Sequence, residues 1–236
     1  MITITLQQHD LHLLPGRAVW RPKTRTLYVA DLHIGKTSAF AKGGIPLSAQ
    51  VLERTTVNDL ARLSSLMLAT GALRLIILGD LLHATAGRDP RTLALLSGWR
   101  NAHVSVEVLL IRGNHDHAAG DPPDSSGIRC VDAPFDDDGL TLLHYPTDPP
   151  TCTPTLAGHL HPAVKLSAAG GGDQARVACF WVSGGQIVLP AFGGFTGAAS
   201  IAPRPGDRVF AVADDAVCEV PVVSVKTGLR IGRSVR

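Results

Sequence analysis

Leu73-Arg74-Leu75-Ile76-Ile77-Leu78-Gly79-Asp80 and Val104-Ser105-Val106-Glu107-Val108-Leu109-Leu110-Ile111-Arg112-Gly113-Asn114-His115-Asp116 share one construction: a short apolar run, a glycine, then groups that can bind metal or move protons. A run that is apolar at nearly every position suits a strand buried on both faces, as in parallel sheets. Between the two, Asp89-Pro90 opens a helix to about Asn101, with proline suited to a first helical turn. Upstream, Leu27-Tyr28-Val29-Ala30 is another strand and delivers Asp31-Leu32-His33. Leu47 to Ala69 carries Leu52, Leu60, Leu63, Leu66 and Met67 at roughly helical spacing; Ser48 can cap its start and Gly71 ends it. This βαβαβ alternation predicts an α/β chain with a parallel or mixed sheet.

Outside that unit the pattern is simpler. Ile2 to Leu6 alternates apolar residues with threonine and suits an edge strand, and Val19-Trp20 starts another. Residues 117–127 are rich in Asp, Pro, Ser and Gly and predict a loop. Beyond them only short strands are expected: near Ile128, then Leu140 to His144, Thr155 to Ala157, Val164 to Leu166, Val177 to Val182, Gln186 to Leu189, Val209 to Val212 and Val217 to Val220. Gly170 to Asp173 predicts a hairpin turn. Residues 1–224 are expected to form a single domain, and 225–236, with Arg230, Arg233 and Arg236, a mobile tail.

Composition narrows the partners. The 236 residues are 45% hydrophobic and 18% charged, with a formal net charge of +2. That excludes a strongly basic nucleic-acid coat and leaves room for a local basic groove. The four cysteines (Cys130, Cys152, Cys179, Cys218) form no CxxC, which argues against structural zinc and a disulfide framework and fits a reducing cytosol. Gln7, Gln8, His9 and Asp10 break any signal peptide, and no apolar run approaches the ~20 residues of a membrane span. A cytoplasmic protein is expected.

The chemistry lies in His/Asp clusters that occur in fixed order: Asp31-Leu32-His33, Gly79-Asp80, Gly113-Asn114-His115-Asp116, then His144 and Gly158-His159-Leu160-His161. Five of the ten histidines fall in them. In a strand, residues i and i+2 point the same way, so Asp31/His33 and His159/His161 can each aim two ligands at one spot; a loop beyond a strand end can do the same. Carboxylate, imidazole and amide oxygen suit Mn²⁺, Fe²⁺ or Zn²⁺ better than Ca²⁺. Asp80, alone after its glycine, is the natural bridge, since one carboxylate can hold two ions ~3.5–4 Å apart. Two divalent ions against Asp31 and Asp80 leave positive charge for a phosphodiester and an attacking hydroxide. His115 is the free imidazole that could protonate a leaving alkoxide, with Asp116 following to orient its ring. Each piece alone has a plain reading: Gly-Asp as a turn, His144 as a core histidine. The joint, ordered occurrence is what points to a two-metal site. His83 and His117 flank motifs, whereas His9, His12 and His103 read as surface residues.

Taken together these motifs resemble the signature of the calcineurin-like metallophosphoesterases. The resemblance implies a four-layer α/β/β/α sandwich with metals at the strand ends. It implies Asp31, His33, Asp80 and His161 as ligands of one metal, Asp80, Asn114, His144 and His159 as ligands of the other, and His115 as proton donor. Ala30 to Lys36, Leu142-Leu143-His144-Tyr145-Pro146, Leu189-Pro190-Ala191-Phe192-Gly193-Gly194-Phe195-Thr196-Gly197 and Gly206 to Phe210 look like the bacterial ligase-associated DNA damage response phosphoesterases. That likeness covers roughly Leu27 to Val220. It implies a manganese-dependent DNA endonuclease or phosphodiesterase that works in DNA repair beside an ATP-dependent DNA ligase, a helicase and a second nuclease.

Rival readings meet specific residues. The protein-phosphatase branch has an Arg-containing motif after Gly-Asp and Glu after Gly-Asn-His; here stand Leu81-Leu82-His83 and Asp116. A small-molecule phosphodiesterase or nucleotide pyrophosphatase is the main alternative, and a non-catalytic scaffold, like the phosphoesterase-like subunit of retromer, a third. Only 27 residues separate Asp116 from His144, with no apolar helical insertion to form a lid, so an open cleft that admits single-stranded DNA is expected. Lys36, Lys42, Arg88 and His83 are the candidates to bind the substrate.

Overall fold

The computed structural model describes residues 1–37, 49–167 and 174–222. Lys42, Ser48, the expected hairpin turn at 170–173 and the expected tail at 225–236 lie outside them.

Seven strands form the first sheet in chain order: β1 (Ile2–Leu6), β2 (His9–Leu14), β3 (Ala18–Arg21), β4 (Thr26–Val29), β5 (Arg74–Leu78), β6 (Glu107–Ile111) and β7 (Ile128–Val131). The first four pair antiparallel; β4 to β7 are parallel, as their apolar runs predict. Helices α1 (Ala49–Thr70) and α2 (Pro90–Ala102) are the crossovers. Asp89 caps α2 by accepting from the amides of Arg91 and Thr92, both at 3.1 Å. The alternation of each parallel strand splits the core in two. Leu27, Val29, Leu75, Ile77, Val108 and Leu110 meet Leu60, Leu63, Met67, Leu96 and Trp99 of the helices. Tyr28, Ile76, Leu78, Leu109 and Ile111 point the other way, against the second sheet.

That second sheet runs β14-β11-β12-β13-β10-β9-β8, with β15 on β12 and β16 on β15. Its strands are β8 (Phe135–Asp137), β9 (Leu140–Leu142), β10 (Thr155–Ala157), β11 (Pro162–Ser167), β12 (Gln174–Ser183), β13 (Gln186–Val188), β14 (Ala199–Ser200), β15 (Arg208–Val212) and β16 (Val217–Val220). β10 is parallel to β9 and β13, while β12 is antiparallel to its neighbours. The chain is thus an α/β sandwich of two mixed sheets with helices. Among the described residues no α-helix follows Ala119. A small cluster gathers around Val164, Cys179, Val209 and Ala211 on the second sheet.

At the end of the sandwich remote from the C-terminal ends of the parallel strands, Asp137 of β8 ties the sheets together. It accepts from the Tyr28 hydroxyl at 2.5 Å and from Arg74 Nη1 at 2.8 Å. Arg21, only 1% exposed, donates to the Asp137 carbonyl at 2.9 Å and to Asp138 Oδ2 at 2.8 Å, and meets His9 Nδ1 at 2.9 Å. His9 is therefore buried and not a surface residue: a strand the sequence reading passed over, β2, turns it inward to Arg21. Burial and the neighbouring Asp137 push the Tyr28 phenol well up, so it stays a donor. Asp137→Ala would leave the buried Tyr28 hydroxyl without its acceptor and take from Arg74 a carboxylate partner, a loss of about 1–3 kcal/mol. The expected result is a melting temperature lower by roughly 2–12 °C. A shift under about 2 °C in a thermal melt would show the network to be dispensable.

Candidate metal centre

β4, β5, β6 and β10 all end at one rim, and each is followed by a cluster of candidate ligands. Two loops zip together there: Asp31 N donates to Gly79 O at 3.1 Å, His33 N to Asp80 O at 2.8 Å, and Ile34 N to Leu81 O at 2.8 Å. Asp31, His33, Asp80, His159 and His161 all have positive φ, between 48° and 70°. The i, i+2 pairs therefore aim their side chains from left-handed turns beyond the strands and not from strand pleats. Such conformations cost of order 1–3 kcal/mol each and persist where the surroundings hold them. Gly79, with φ +85°, lies so close to His144 that a Cβ would sit 2.0 Å from Nδ1; only glycine fits.

The side chains form two converging sets. In the first, Asp31 Oδ1 lies 3.6 Å from His161 Nε2, which is 3.3 Å from His33 Nε2, and His33 Nε2 is 3.7 Å from Asp80 Oδ2. In the second, His144 Nε2 lies 3.6 Å from Asp80 Oδ1, 3.1 Å from Asn114 Oδ1 and 3.1 Å from His159 Nδ1. The two oxygens of Asp80 face one set each. All seven ligand candidates come together.

The proton inventory fits a cation in each set. His161 Nδ1 donates to the Gly197 carbonyl at 3.0 Å and His144 Nδ1 to the Leu78 carbonyl at 3.0 Å, so the neutral ring of each turns an Nε2 lone pair to its set. Those lone pairs face carboxylate and amide oxygens that only accept, beside ring nitrogens of His33 and His159. Asp31 Oδ1 is buried with no hydrogen-bond partner, while its Oδ2 takes the His159 amide at 2.8 Å. Lone pairs gathered in this way are what a divalent ion would draw together. Burial, followed by the nearby His161 and Lys36, drives His33 down to about 2, so it is neutral and free to ligate. Burial also pushes the Asp80 carboxyl up and Lys36 down. For His161 burial acts downward, but Asp31 outweighs it and the net shift is upward.

Other expected residues take different places. His115 is fixed by its amide, which donates to Asp80 Oδ1 at 2.9 Å; its ring stacks on His83 at 4.6 Å and stands edge-on to His33 at 4.9 Å. His83 Nδ1 lies 3.2 Å from His33 Nδ1, which places it behind a ligand. Asp116 does not orient the His115 ring. Its oxygens accept from the amides of Asp80 (2.7 Å), Gly113 (2.9 Å), Leu81 (3.0 Å) and Leu82 (3.3 Å), so it braces the turn that carries Asp80. Arg88 donates to the carbonyls of Ala119 and Asp121, which draws its charge into a loop. Among the described residues Lys36 is a cation that Asp31 and Asp80 both act on.

Two residues the sequence reading left without a role hold the loop after Leu189. Asp59 accepts the Gly194 amide at 3.0 Å, and Arg62 donates to the Phe192 carbonyl and lies 4.1 Å over its ring. That loop in turn pairs with Ala30 and Asp31 and receives the His161 Nδ1 bond at Gly197. Their placement on α1, opposite a Gly-rich stretch, was the only signal.

The crystal structure of the Pseudomonas putida nuclease MPE is similar to this chain at 39% identity, over 93% of this chain and 99% of that one, with a TM-score of 0.77. The chain belongs to the metallophosphoesterases. They are hydrolases of phosphoester bonds, and the divalent-metal donor sets at the strand ends accord with membership. The Escherichia coli phosphoesterase Yfce is also found, at 14% identity over 83% of this chain and 97% of that one, with a TM-score of 0.40. No protein-family model matches the chain, and no curated protein does. Among the described residues no helix is long and apolar enough to cross a membrane.

Proposed function

We propose that this metallophosphoesterase is a binuclear, manganese-dependent DNA endonuclease that cuts single-stranded DNA or single-stranded regions in DNA repair. The observation that carries the reading is the 39% identity, over nearly the whole chain, to a nuclease. Asp31, His33, Asp80 and His161 would hold one ion, and Asp80, Asn114, His144 and His159 the other. When bound, such ions neutralise the phosphodiester and acidify the attacking water. His115 gives its proton to the departing oxygen. Asp116 keeps Asp80 in place by taking the amides around it, and Lys36 adds positive charge beside Asp31 and Asp80. The set has no thiolate and includes an amide oxygen, which favours Mn²⁺, with Fe²⁺ or Zn²⁺ able to substitute. The resemblance extends the proposal to work in the cytoplasm beside an ATP-dependent ligase, a helicase and a second nuclease.

The test is an activity panel with Mn²⁺ that sets single-stranded and duplex DNA against bis-p-nitrophenyl phosphate, cyclic nucleotides and a UDP-sugar. The expected result is cleavage of single-stranded DNA and of the activated diester, lost on chelation. Faster turnover of the cyclic nucleotide or the UDP-sugar than of DNA would establish the small-molecule alternative. A chain that takes up no metal and cleaves nothing would be a scaffold.

A further inference from the structure

We propose that Asp59 and Arg62 of α1 are positioning residues for one metal ion of the pair: they clamp the loop that backs Asp31 and His161, and so govern how tightly the first donor set holds its ion while leaving the second set largely alone. This rests on the binuclear reading above. Neither residue belongs to a donor set.

The two sets are backed differently. In the second, His144 Nδ1 donates to the carbonyl of Leu78, the last residue of β5 in the parallel core. In the first, His161 Nδ1 donates to the carbonyl of Gly197, in the irregular segment between β13 and β14. The outer partner of a ligating histidine fixes its tautomer and ring orientation. Here that partner is only as fixed as its loop.

The loop is gripped from two sides. Toward the metals, the Phe192 amide donates to Ala30 O at 2.8 Å and the Gly193 amide to Asp31 O at 3.1 Å. Gly193 lies so close to the Asp31-Leu32-His33 backbone that a Cβ would sit 2.3 Å from Leu32 O. Thr196 Oγ1 donates to Gly193 O at 2.8 Å, which ties the turn just before Gly197. From the helix, the Gly194 amide donates to both oxygens of Asp59, at 3.0 and 3.1 Å. Arg62 donates to the Phe192 carbonyl and meets Asp59 Oδ1 at 3.3 Å. The helix grip thus falls on Phe192 and Gly194, the two neighbours of the residue pressed against Leu32. Among the described residues the second set meets this loop only at one remove, through Asp31 Oδ2 on the His159 amide.

A buried Asp–Arg pair can serve the fold alone. For that purpose it is a poor choice, since apolar side chains of similar volume are often as stabilising or more so. Burial works against both charges here, pushing the Asp59 carboxyl up and Arg62 down. What apolar side chains cannot do is accept the Gly194 amide and fill the Phe192 carbonyl, and those two bonds set where the loop lies.

The experiment titrates Mn²⁺ into metal-free wild type, Asp59→Ala, Arg62→Ala and Asp59→Asn, and follows binding by calorimetry and electron paramagnetic resonance. Wild type should take up two ions and show the exchange-coupled spectrum of a pair. Both alanine variants should hold one ion near wild-type affinity and the other about 10–100-fold more weakly. At limiting Mn²⁺ they should then show the spectrum of an isolated ion, with anomalous density in crystals beside His144 and His159. Asp59→Asn keeps an oxygen for the Gly194 amide without the charge, so it should retain the pair. If it loses as much as Asp59→Ala, charge and not the clamp is responsible, and the proposal fails. It fails equally if the alanine changes weaken both ions alike or neither. Should Asp59→Ala not fold, Arg62→Ala and Asp59→Asn decide the matter. A wild type that binds fewer than two ions would instead remove the binuclear reading itself, and the role of the clamp with it.

Discussion

Replacing Asp80 by alanine is expected to empty both donor sets at once and to abolish phosphodiesterase activity. Among the described residues no other side chain faces both sets: Oδ2 turns to His33 and Oδ1 to His144. Loss of an outer-shell partner typically costs 10–100-fold in metal affinity or activity, and loss of the shared ligand should exceed about 100-fold. The change should separate function from folding. Asp80 is a buried carboxyl whose burial disfavours its charge, so the metal-free variant should melt no lower than the metal-free wild type. Wild type should gain about 2.7 kcal/mol per site when Mn²⁺ reaches 100 times its dissociation constant. The variant should gain nothing. Metal analysis together with melting curves checks both halves. A variant that keeps two ions per chain, or still stabilises with Mn²⁺, would remove Asp80 from the bridging position.

The parallel core was legible because Leu75 to Leu78 and Val108 to Ile111 are apolar at every position, which suits a strand covered on both faces, and each run is too short for a helix. The clusters after them were legible because few folds place Gly-Asn-His-Asp and Gly-His-Leu-His behind strands. The left-handed conformations of five ligand candidates were not, because the bonds that hold them come from partners distant in sequence, such as His33 N to Asp80 O and His159 N to Asp31 Oδ2. Asp116 was misread for the same reason: its targets are backbone amides. The β8–β9 hairpin carried a usable signal, Asp138-Gly139, with φ of 55° and 78° as a two-residue turn requires. Strand β2 was hidden by His9, Asp10 and His12, polar residues that serve the buried Arg21 network or the surface.

His115→Ala is expected to keep both metals yet lose about 10²–10⁴-fold in DNA cleavage, the usual worth of a general acid. Its amide already holds Asp80 Oδ1, and alanine preserves that bond, so the donor sets should survive. Its ring belongs to neither set; it stacks on His83 and meets the His33 ring edge-on, next to the first donor set. A departing deoxyribose alkoxide is a strong base and needs the proton, whereas p-nitrophenolate leaves almost unaided. The deficit should therefore be large on DNA and small on bis-p-nitrophenyl phosphate. His83→Ala is the comparison, since the two rings lie in contact. If His83→Ala shows the leaving-group dependence and His115→Ala does not, the roles of the two imidazoles are exchanged. If His115→Ala slows both substrates equally and its metal content falls, the ring supports the centre and donates no proton.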